Sequence, residues 1–222
     1  MASPQQCGMS SQHPEHPNLV VFEHPLIQHK LSFIRDAKTG YRPFRALLAQ
    51  IAGLMVFEVT RSFATEPVDV QTPMETTRCR RIAGTITLVP ILRSGLGMTE
   101  GILDIMPEAR VAHLGMARDE HTLQPKVYLQ KFPKDLGAGP VVVVDPMLAT
   151  GGSAVEAVNI LKRSGVGDLR MICLVAAPEG VSHMRASHPD VRIYAAALDR
   201  QLNEHGFIMP GLGDAGDRMY GT

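Results

Sequence analysis

Short, uninterrupted runs of aliphatic residues recur along this chain, and helical spacing of apolar residues follows most of them. Val141–Val144 reads VVVV, residues 171–177 read MICLVAA, and residues 85–89 read TITLV. Strands with one face in water alternate apolar and polar residues, whereas unbroken runs are typical of strands covered on both faces. The alternation of such strands with helices predicts an α/β fold with a parallel sheet and crossover helices.

The same reading predicts the order of the elements. A long helix contains Phe44, Leu48, Ile51, Met55 and Val59 at helical spacing. Strands are expected at 85–89, 111–116, 141–144, 171–177 and 191–197, and helices at 96–105, 154–163 and 180–186. The Gly-rich residues 201–222 predict an ordered loop around a site rather than a packed element.

Domain organisation follows from the distribution of aliphatic residues. Residues 1–18 are rich in Pro, Gln, Ser and His and have few residues that could be buried, so we expect a flexible tail. Residues 19–222 contain no internal repeat and no second boundary, and they predict one domain.

Charge and composition exclude some classes of function. The 22 Lys and Arg residues balance 22 Asp and Glu residues, which argues against a nucleic-acid partner bound through a broad cationic face. No apolar run of about 18 residues could span a membrane, and no secretory signal is visible. The three cysteines lack the close pairing of a disulfide framework or a metal site. We therefore expect a cytoplasmic protein without a membrane partner.

The segment VVVVDPMLATGGS, residues 141–153, carries the clearest chemical signal. A buried strand ends at Asp145, a Gly-rich turn follows, and a helix begins. Ligands of parallel α/β sheets bind beyond the carboxyl ends of the strands, where a helix N-terminus and glycine amides attract anions. Thr150 and Ser153 add hydroxyl donors, and Asp145 is placed to accept hydrogen bonds from sugar hydroxyls. A plain capped helix start is the alternative for the TGGS turn alone.

The segment PILRSG, residues 90–95, lies at another predicted strand-to-helix turn. Arg93 can therefore reach the same sheet edge as Asp145, and a guanidinium matches a diphosphate bidentately. The alternative is a surface arginine, which the dipole at a helix start disfavours.

The segment DPMLATGGS resembles the phosphoribosyl-diphosphate motif of type I phosphoribosyltransferases, and in this form that of the uracil phosphoribosyltransferases. Most of the wider family has two adjacent acidic residues at the strand end, where this chain has Asp145 and Pro146. The resemblance extends over nearly the whole chain from His24 onward. Its further motifs are HPLIQHKLSFIRD at 24–36, VPILRSGLGM at 89–98, LVAAPEG at 174–180 and LNEHGFIMPGLGDAGDR at 202–218.

This resemblance implies the type I phosphoribosyltransferase fold, a central parallel sheet flanked by helices with a β-hairpin and loop as a hood. It implies the conversion of uracil and 5-phospho-α-D-ribose 1-diphosphate to UMP and diphosphate in pyrimidine salvage. It also implies Mg²⁺ held mainly through the substrate, a homo-oligomer (dimer or tetramer) and GTP as an effector.

The resemblance also assigns site residues. Arg93, Arg118 and Asp145 are the expected catalytic residues. The hood would comprise residues 119–131, next to Ala117, where family members usually have an aromatic residue. Residues expected to bind the phosphoribosyl donor are Arg93, Arg118, Asp145, Pro146, Met147, Leu148, Ala149, Thr150, Gly151, Gly152, Ser153 and Asp214. Residues expected to bind uracil are Ile208, Gly213, Asp214 and Ala215.

Two other functions are compatible with the fold. One is a regulator that binds nucleotide or RNA without turnover, which the neutral charge balance and the intact Asp145 disfavour. The other is the same class of enzyme acting on a different base. Turnover with uracil, cytosine, hypoxanthine and orotate separates these alternatives.

Overall fold

The computed structural model of the chain describes residues 11–118 and 125–222. Its α-helices are α1 (Pro25–Arg35), α2 (Tyr41–Val59), α3 (Leu96–Ile105), α4 (Gly152–Arg163), α5 (Pro178–Ser187) and α6 (Ala215–Tyr220). Its first strands are β1 (Ser11–Gln12), β2 (Leu19–Val21), β3 (Thr65–Gln71), β4 (Thr76–Ile82), β5 (Thr87–Leu92), β6 (Arg110–Val111) and β7 (His113–Arg118). The remaining strands are β8 (Pro125–Lys131), β9 (Val141–Val144), β10 (Met147–Leu148), β11 (Leu169–Ala176), β12 (Arg192–Leu198), β13 (Gln201–Leu202) and β14 (Ile208–Met209).

The main sheet has the strand order β1-β2-β12-β11-β9-β5-β7-β8. Strands β2, β12, β11, β9, β5 and β7 are parallel, and β1 and β8 are antiparallel to their neighbours at the two edges. The short strands β6 and β10 extend the pairing on β5 and β11. The predicted α/β fold with a central parallel sheet is confirmed.

Both faces of the sheet are covered. Along β11, Ile172 and Leu174 belong to the apolar cluster that contains the buried residues of α1, α2 and α3. Met171 and Cys173, which point the other way, belong to the cluster that contains the buried residues of α4 and α5. All of Val141–Val144 is fully buried, because neighbouring residues of β9 pack into opposite clusters. Unbroken aliphatic runs therefore correspond to strands inside two layers of helices.

The central strand β9 is interrupted but keeps its register. Its continuation β10 pairs with β11 in the same register, and the break consists of Asp145 and Pro146. Pro146 has no N–H to donate, while its carbonyl oxygen accepts hydrogen bonds from the N–H groups of Leu174 at 3.0 Å and Val175 at 3.1 Å. These bonds fix the backbone just after Asp145 at the carboxyl end of β9.

The C-terminal segment differs from the prediction. Residues 201–222 contain the antiparallel pair β13–β14 and the helix α6, whose Ala215 and Met219 are buried. The prediction of a loop without a packed element is therefore wrong. This helix is short, and its two buried residues, four positions apart, are too few to produce a visible helical pattern.

The antiparallel hairpins were also not located from the strand pattern. β3 and β4 form a separate two-stranded sheet, and β7 pairs with β8 at the edge of the main sheet. β8 covers the later part of the expected hood, and residues 119–124 lie outside the described residues. Within the expected tail, β1 pairs with β2, and the division into residues 1–18 and 19–222 stays a prediction.

Candidate active site

Two strand-to-helix turns meet at the carboxyl edge of the sheet. The Ser94 hydroxyl, in the turn after β5, donates a hydrogen bond to Asp145 Oδ1 at 3.0 Å. Gly95 allows this approach, because a Cβ atom there would lie 2.3 Å from the carbonyl oxygen of Val144. The turn that carries Arg93 is thereby fixed against the end of β9.

The Asp145 carboxyl has an unusual acidity. Its side chain keeps partial exposure at the sheet edge, but the surrounding protein removes most of its hydration. This burial raises the pKa of Asp145 to about 7, and the negative charge of Asp214 contributes in the same direction. Hydrogen bonds from the Ser94 hydroxyl and the Met147 backbone lower the pKa but do not offset the burial. The carboxyl therefore changes its charge near neutral pH.

The thiol next to this carboxyl is not a nucleophile. Cys173 on β11 is fully buried, and burial together with the charge of Asp145 raises the pKa of its thiol. A protonated, buried thiol is chemically inert, so Cys173 serves the core.

Arg93 lies between β5 and α3, and the Leu92–Arg93 peptide bond is cis. Its guanidinium carbon lies 5.5 Å from the centroid of the Tyr220 ring, within the range of a cation–π interaction. The Tyr220 hydroxyl also donates a long hydrogen bond, 3.4 Å, to the Arg93 carbonyl oxygen. The end of α6 thus contacts the turn that would bind a diphosphate.

Arg118 is the last residue of β7, but its side chain lies outside the described part of the structure. Neighbouring Ala117 is exposed and pairs with Lys126 of β8. The contact of Arg118 with the phosphoribosyl donor stays a prediction.

The turn of residues 149–153 forms the start of α4. Gly151 has φ +84°, a left-handed conformation that side chains disfavour, and α4 begins at Gly152. The first helical hydrogen bond joins Val155 N–H to the Gly151 carbonyl at 2.8 Å. Among the described residues, no side-chain hydrogen bond caps α4 at Gly151. The N–H groups of the first turn are therefore available to an anion, which the positive end of the helix dipole attracts.

Helix α5 supports this turn from the side. His183 Nδ1 and the Thr150 carbonyl oxygen form a hydrogen bond of 2.9 Å. Glu179 Oε1 accepts a hydrogen bond from Leu202 N–H at 3.0 Å, which attaches the C-terminal segment to the same helix. Thr150 also lies beside Gly206, since a Cβ atom on Gly206 would be 3.8 Å from Thr150 Cγ2.

The residues expected to bind uracil lie in this C-terminal segment. Ile208 on β14 and Ala215 on α6 are buried, and Gly213 is exposed between them. Asp214 Oδ1 accepts a hydrogen bond from Asp217 N–H at 3.0 Å and so caps α6. The C-terminal segment reaches the same sheet edge as β9, since Gly206 lies beside Thr150 and the Tyr220 ring lies next to Arg93. The charge of Asp214 also contributes to the raised pKa of Asp145.

Other features of the surface lie away from this edge. An apolar groove of about 490 Å³ lies between α1, α2 and α3 and includes the exposed side chains of Phe57 and Ile105.

Within residues 11–118 and 125–222, no cluster of three or more His, Cys, Asp or Glu side chains could hold a metal ion. In the same ranges, no helix is long and apolar enough to cross a membrane.

Several contact residues carry no local signal in the sequence. Ser94, His183 and Tyr220 act on residues that are 33 or more positions away. Ser94 lies inside the recognised RSG segment and could have been suspected from it, whereas His183 reads as an ordinary helical residue. The fold and this edge together define an α/β phosphoribosyltransferase.

Comparisons with known proteins give the family. The AQ2163 protein of Aquifex aeolicus has a similar structure, with a TM-score of 0.87 and 35% identity over 91% of this chain and 97% of that one. The model of the uracil phosphoribosyltransferase family matches residues 20–222. Uracil phosphoribosyltransferases of Symbiobacterium thermophilum and Bacillus pumilus are each 57% identical to this chain, over 92% and 91% of it and 98% and 97% of their own lengths. The chain belongs to the uracil phosphoribosyltransferase family, a family of pentosyl-transferring enzymes.

Proposed function

We propose that the chain converts uracil and 5-phospho-α-D-ribose 1-diphosphate to UMP and diphosphate. The observation that carries this proposal is the convergence of three parts at one sheet edge. These parts are the uncapped start of α4, the carboxyl of Asp145 and the C-terminal segment, whose Gly206 lies beside Thr150 and whose Tyr220 lies next to Arg93. Membership of the uracil phosphoribosyltransferase family supports uracil as the base.

The reaction is a displacement at the anomeric carbon of ribose. A bond forms between N1 of uracil and this carbon, and the bond from this carbon to the diphosphate oxygen breaks. The electron pair of the broken bond leaves with the diphosphate, and the proton of N1 passes to the departing diphosphate or to water. Positive charge develops at the ring oxygen meanwhile, so the enzyme acts by positioning and electrostatic stabilisation and needs no covalent nucleophile.

The turn that starts α4 would bind the 5-phosphate of the donor. Backbone N–H groups of residues 149–153 and the hydroxyl groups of Thr150 and Ser153 are the proposed donors. The backbone of residues 146–148 is hydrogen-bonded to β11, and this pairing fixes the position of the turn beyond the carboxyl end of β9. One phosphate is then held without a cationic side chain.

Arg93 and Arg118 would bind the diphosphate. Each charge-assisted hydrogen bond of this kind contributes roughly 1.5–3 kcal/mol. Arg93 is supported for this role by its position on the turn that Ser94 links to Asp145. For Arg118, the resemblance to the family supports the role.

Asp145 would accept hydrogen bonds from the ribose hydroxyl groups. It lies between the turn of Arg93 and the start of α4, where the sugar of the donor would join its two phosphorylated ends. With a pKa of about 7, the carboxyl is ionised above neutral pH and is then an acceptor only.

Uracil would contact Ile208, Gly213, Asp214 and Ala215. Uracil presents two carbonyl acceptors and one N–H donor that backbone groups can read. Cytosine presents an amine in place of one carbonyl, so a site built for uracil leaves polar groups unpaired against it.

Mg²⁺ is the proposed cofactor, bound mainly through the diphosphate and water. Mg²⁺ prefers oxygen ligands and is usually held by one or two carboxylates plus substrate phosphates. The carboxyls of Asp145 and Asp214 interact electrostatically and offer such oxygens. When bound, the ion would neutralise part of the charge on the diphosphate.

Further proposals rest on the resemblance to the family. We propose a cytoplasmic homo-oligomer (dimer or tetramer) that responds to GTP, with residues 19–222 as its catalytic domain and residues 1–18 as a flexible tail. The exposed Phe57 and Ile105, which keep 72% and 59% of their surface in water, support association. Light scattering after gel filtration measures the oligomeric state.

A turnover assay with four bases tests the proposed function. The purified protein is incubated with labelled uracil, cytosine, hypoxanthine or orotate, each with the donor and Mg²⁺, with and without GTP. UMP formed from uracil alone is the expected result. Binding of nucleotide without turnover would favour a regulator, and turnover of another base would assign a different member of the enzyme class.

A further inference from the structure

The loop that precedes α6 is held by charged side chains from other elements. We define residues 208–215 as the base loop, since they contain the residues proposed to contact uracil. Asp199 follows β12 and Arg35 ends α1, and the two form an ion pair next to this loop. The side chains of Arg35 and Asp199 keep 22% and 4% of their exposure, so the pair is largely removed from water.

This ion pair forms hydrogen bonds with both backbone groups of one residue of the base loop, Gly211. Arg35 binds Asp199 bidentately, with Nη1–Oδ2 at 2.8 Å and Nη2–Oδ1 at 2.6 Å. Arg35 Nη1 also donates to the Gly211 carbonyl oxygen at 2.7 Å. Gly211 N–H donates to Asp199 Oδ2 at 3.0 Å. Both backbone groups of Gly211 are therefore fixed by the two members of one ion pair.

Arg218 holds the next carbonyl of the same loop. Its Nη1 donates to the carbonyl oxygen atoms of Leu212 at 2.8 Å and Ile34 at 2.7 Å, and its Nη2 donates to that of Asp36 at 2.6 Å. The guanidinium also lies 4.5 Å from the ring centroid of Phe44. The base loop is thus attached to the C-terminal end of α1 at two successive residues.

A buried ion pair is a poor general stabiliser, because desolvation of the two charges costs about as much as their attraction contributes. Its hydrogen bonds are directional, however, and they allow one position of the bound backbone. A loop that reads a base through backbone groups depends on such a fixed position, since an error of about 1 Å loses the hydrogen bonds.

We propose that Arg35 and Asp199 are positioning residues for base recognition, acting on uracil through the backbone of Gly211. This inference rests on the proposed function and adds the residues that determine the geometry of its base loop. Neither residue needs to touch a substrate. Of the residues proposed to bind the phosphoribosyl donor, only Asp214 lies in the base loop, and its side chain is held by a separate hydrogen bond from Asp217 N–H at 3.0 Å. Loss of the ion pair should therefore weaken the binding of uracil and leave the binding of the phosphoribosyl donor nearly unchanged.

The test compares Asp199→Asn and Arg35→Lys with the wild-type protein. Asn removes the negative charge and puts an NH2 group in place of one oxygen, so either the acceptor for Arg35 Nη2 or the shared acceptor for Arg35 Nη1 and Gly211 N–H is replaced by a donor. Lys lacks the planar fork that reaches Asp199 and Gly211 together. Asp190→Asn is the matched control, because Asp190 forms an ion pair of 2.7 Å with Lys162 away from the base loop.

The measurements are kcat, the KM for uracil, the KM for the donor, and the ratio of UMP formed from uracil to product formed from cytosine. We expect the KM for uracil to rise about tenfold or more in both variants, the size of one lost charge-assisted hydrogen bond. The KM for the donor should stay within about twofold, and the preference for uracil should decrease. Asp190→Asn should leave all of these values unchanged.

An equal rise of both KM values, or a fall in kcat with an unchanged KM for uracil, would overturn the inference while wild-type turnover still supports the proposed function. Failure of both variants to fold, judged by circular dichroism, would also overturn it, because the pair would then serve the fold. Absence of UMP formation by the wild-type protein would instead remove the proposed function and this inference with it.

Discussion

Replacing Asp145 by Asn removes a charge from poorly hydrated surroundings and preserves the shape of the side chain. The pKa of Asp145 is about 7 in the folded protein, compared with 3.8 for a free side chain. Between these two values the folded state retains a proton that the unfolded state has lost. The stability contributed by wild-type Asp145 is therefore complete below about pH 4, decreases as the pH rises, and is lowest above about pH 7.

The size of this effect follows from the two pKa values. Their difference is about 3 pH units, and each unit corresponds to about 1.4 kcal/mol, so ionisation of Asp145 costs at most about 4 kcal/mol. The partial exposure of the carboxyl makes this an upper limit. Asn carries no charge at any of these pH values. The stability of Asp145→Asn relative to the wild-type protein should therefore increase by up to about 3 kcal/mol between pH 5 and pH 8.

Urea unfolding of both proteins without substrates, at one protein concentration and at half-unit steps from pH 5 to pH 8.5, measures this difference. Asp135→Asn is the control. The Asp135 carboxyl is exposed, and its hydrogen bond with Arg110 lowers its pKa, so it is ionised throughout this range in both states. Its difference from the wild-type protein should be independent of pH. If the difference in the free energy of unfolding between Asp145→Asn and the wild-type protein is also independent of pH, the reasoning is refuted.

Three further predictions concern the same edge of the sheet. Because the Ser94 hydroxyl lowers the pKa of Asp145, Ser94→Ala should shift the acid limb of kcat/KM for the donor to higher pH, measured as a pH–rate profile. Gly151→Ala should raise the KM for the donor but not that for uracil in steady-state assays, since its left-handed backbone disfavours a side chain by about 1–2 kcal/mol. Tyr220→Phe should retain donor binding because the ring beneath Arg93 remains, whereas Tyr220→Ala should reduce kcat/KM about two- to fivefold in the same assay.

The parts of the fold that local sequence determines are those that could be predicted from it. Val141–Val144 and Leu96–Ile105 have the predicted bounds, because burial on both faces of a strand and helical spacing leave direct patterns in the sequence. α6 was missed since its short, glycine-containing sequence forms a helix only against the rest of the core. The same limit applies within the site.

Contacts between distant residues explain what could not be predicted about the site. The resemblance of the segment that contains Arg35 to a known motif indicates that the segment matters, but not what its side chain binds. Asp199 lies 164 positions further along the chain, so the contact between the two side chains leaves no pattern at the short spacings that reveal helices and strands. Only the packing of α1 against the end of β12 brings them together around Gly211.

The positions of the arginines explain how a chain with balanced charge can still offer a cation to a substrate. The positive charge of Arg35 is neutralised by Asp199, and Arg218 donates to backbone carbonyl groups, so neither is free for a substrate. Arg93 instead lies over the Tyr220 ring, which stabilises a cation without neutralising it.

The site therefore has a cation at one end, the start of α4 at the other, and the carboxyl of Asp145 between them. This order matches a ligand with two anionic ends and hydroxyl groups in the middle. Because the match depends on where each charge lies, a chain of zero net charge can bind a strongly anionic donor, and the sum of its charges does not predict that it does.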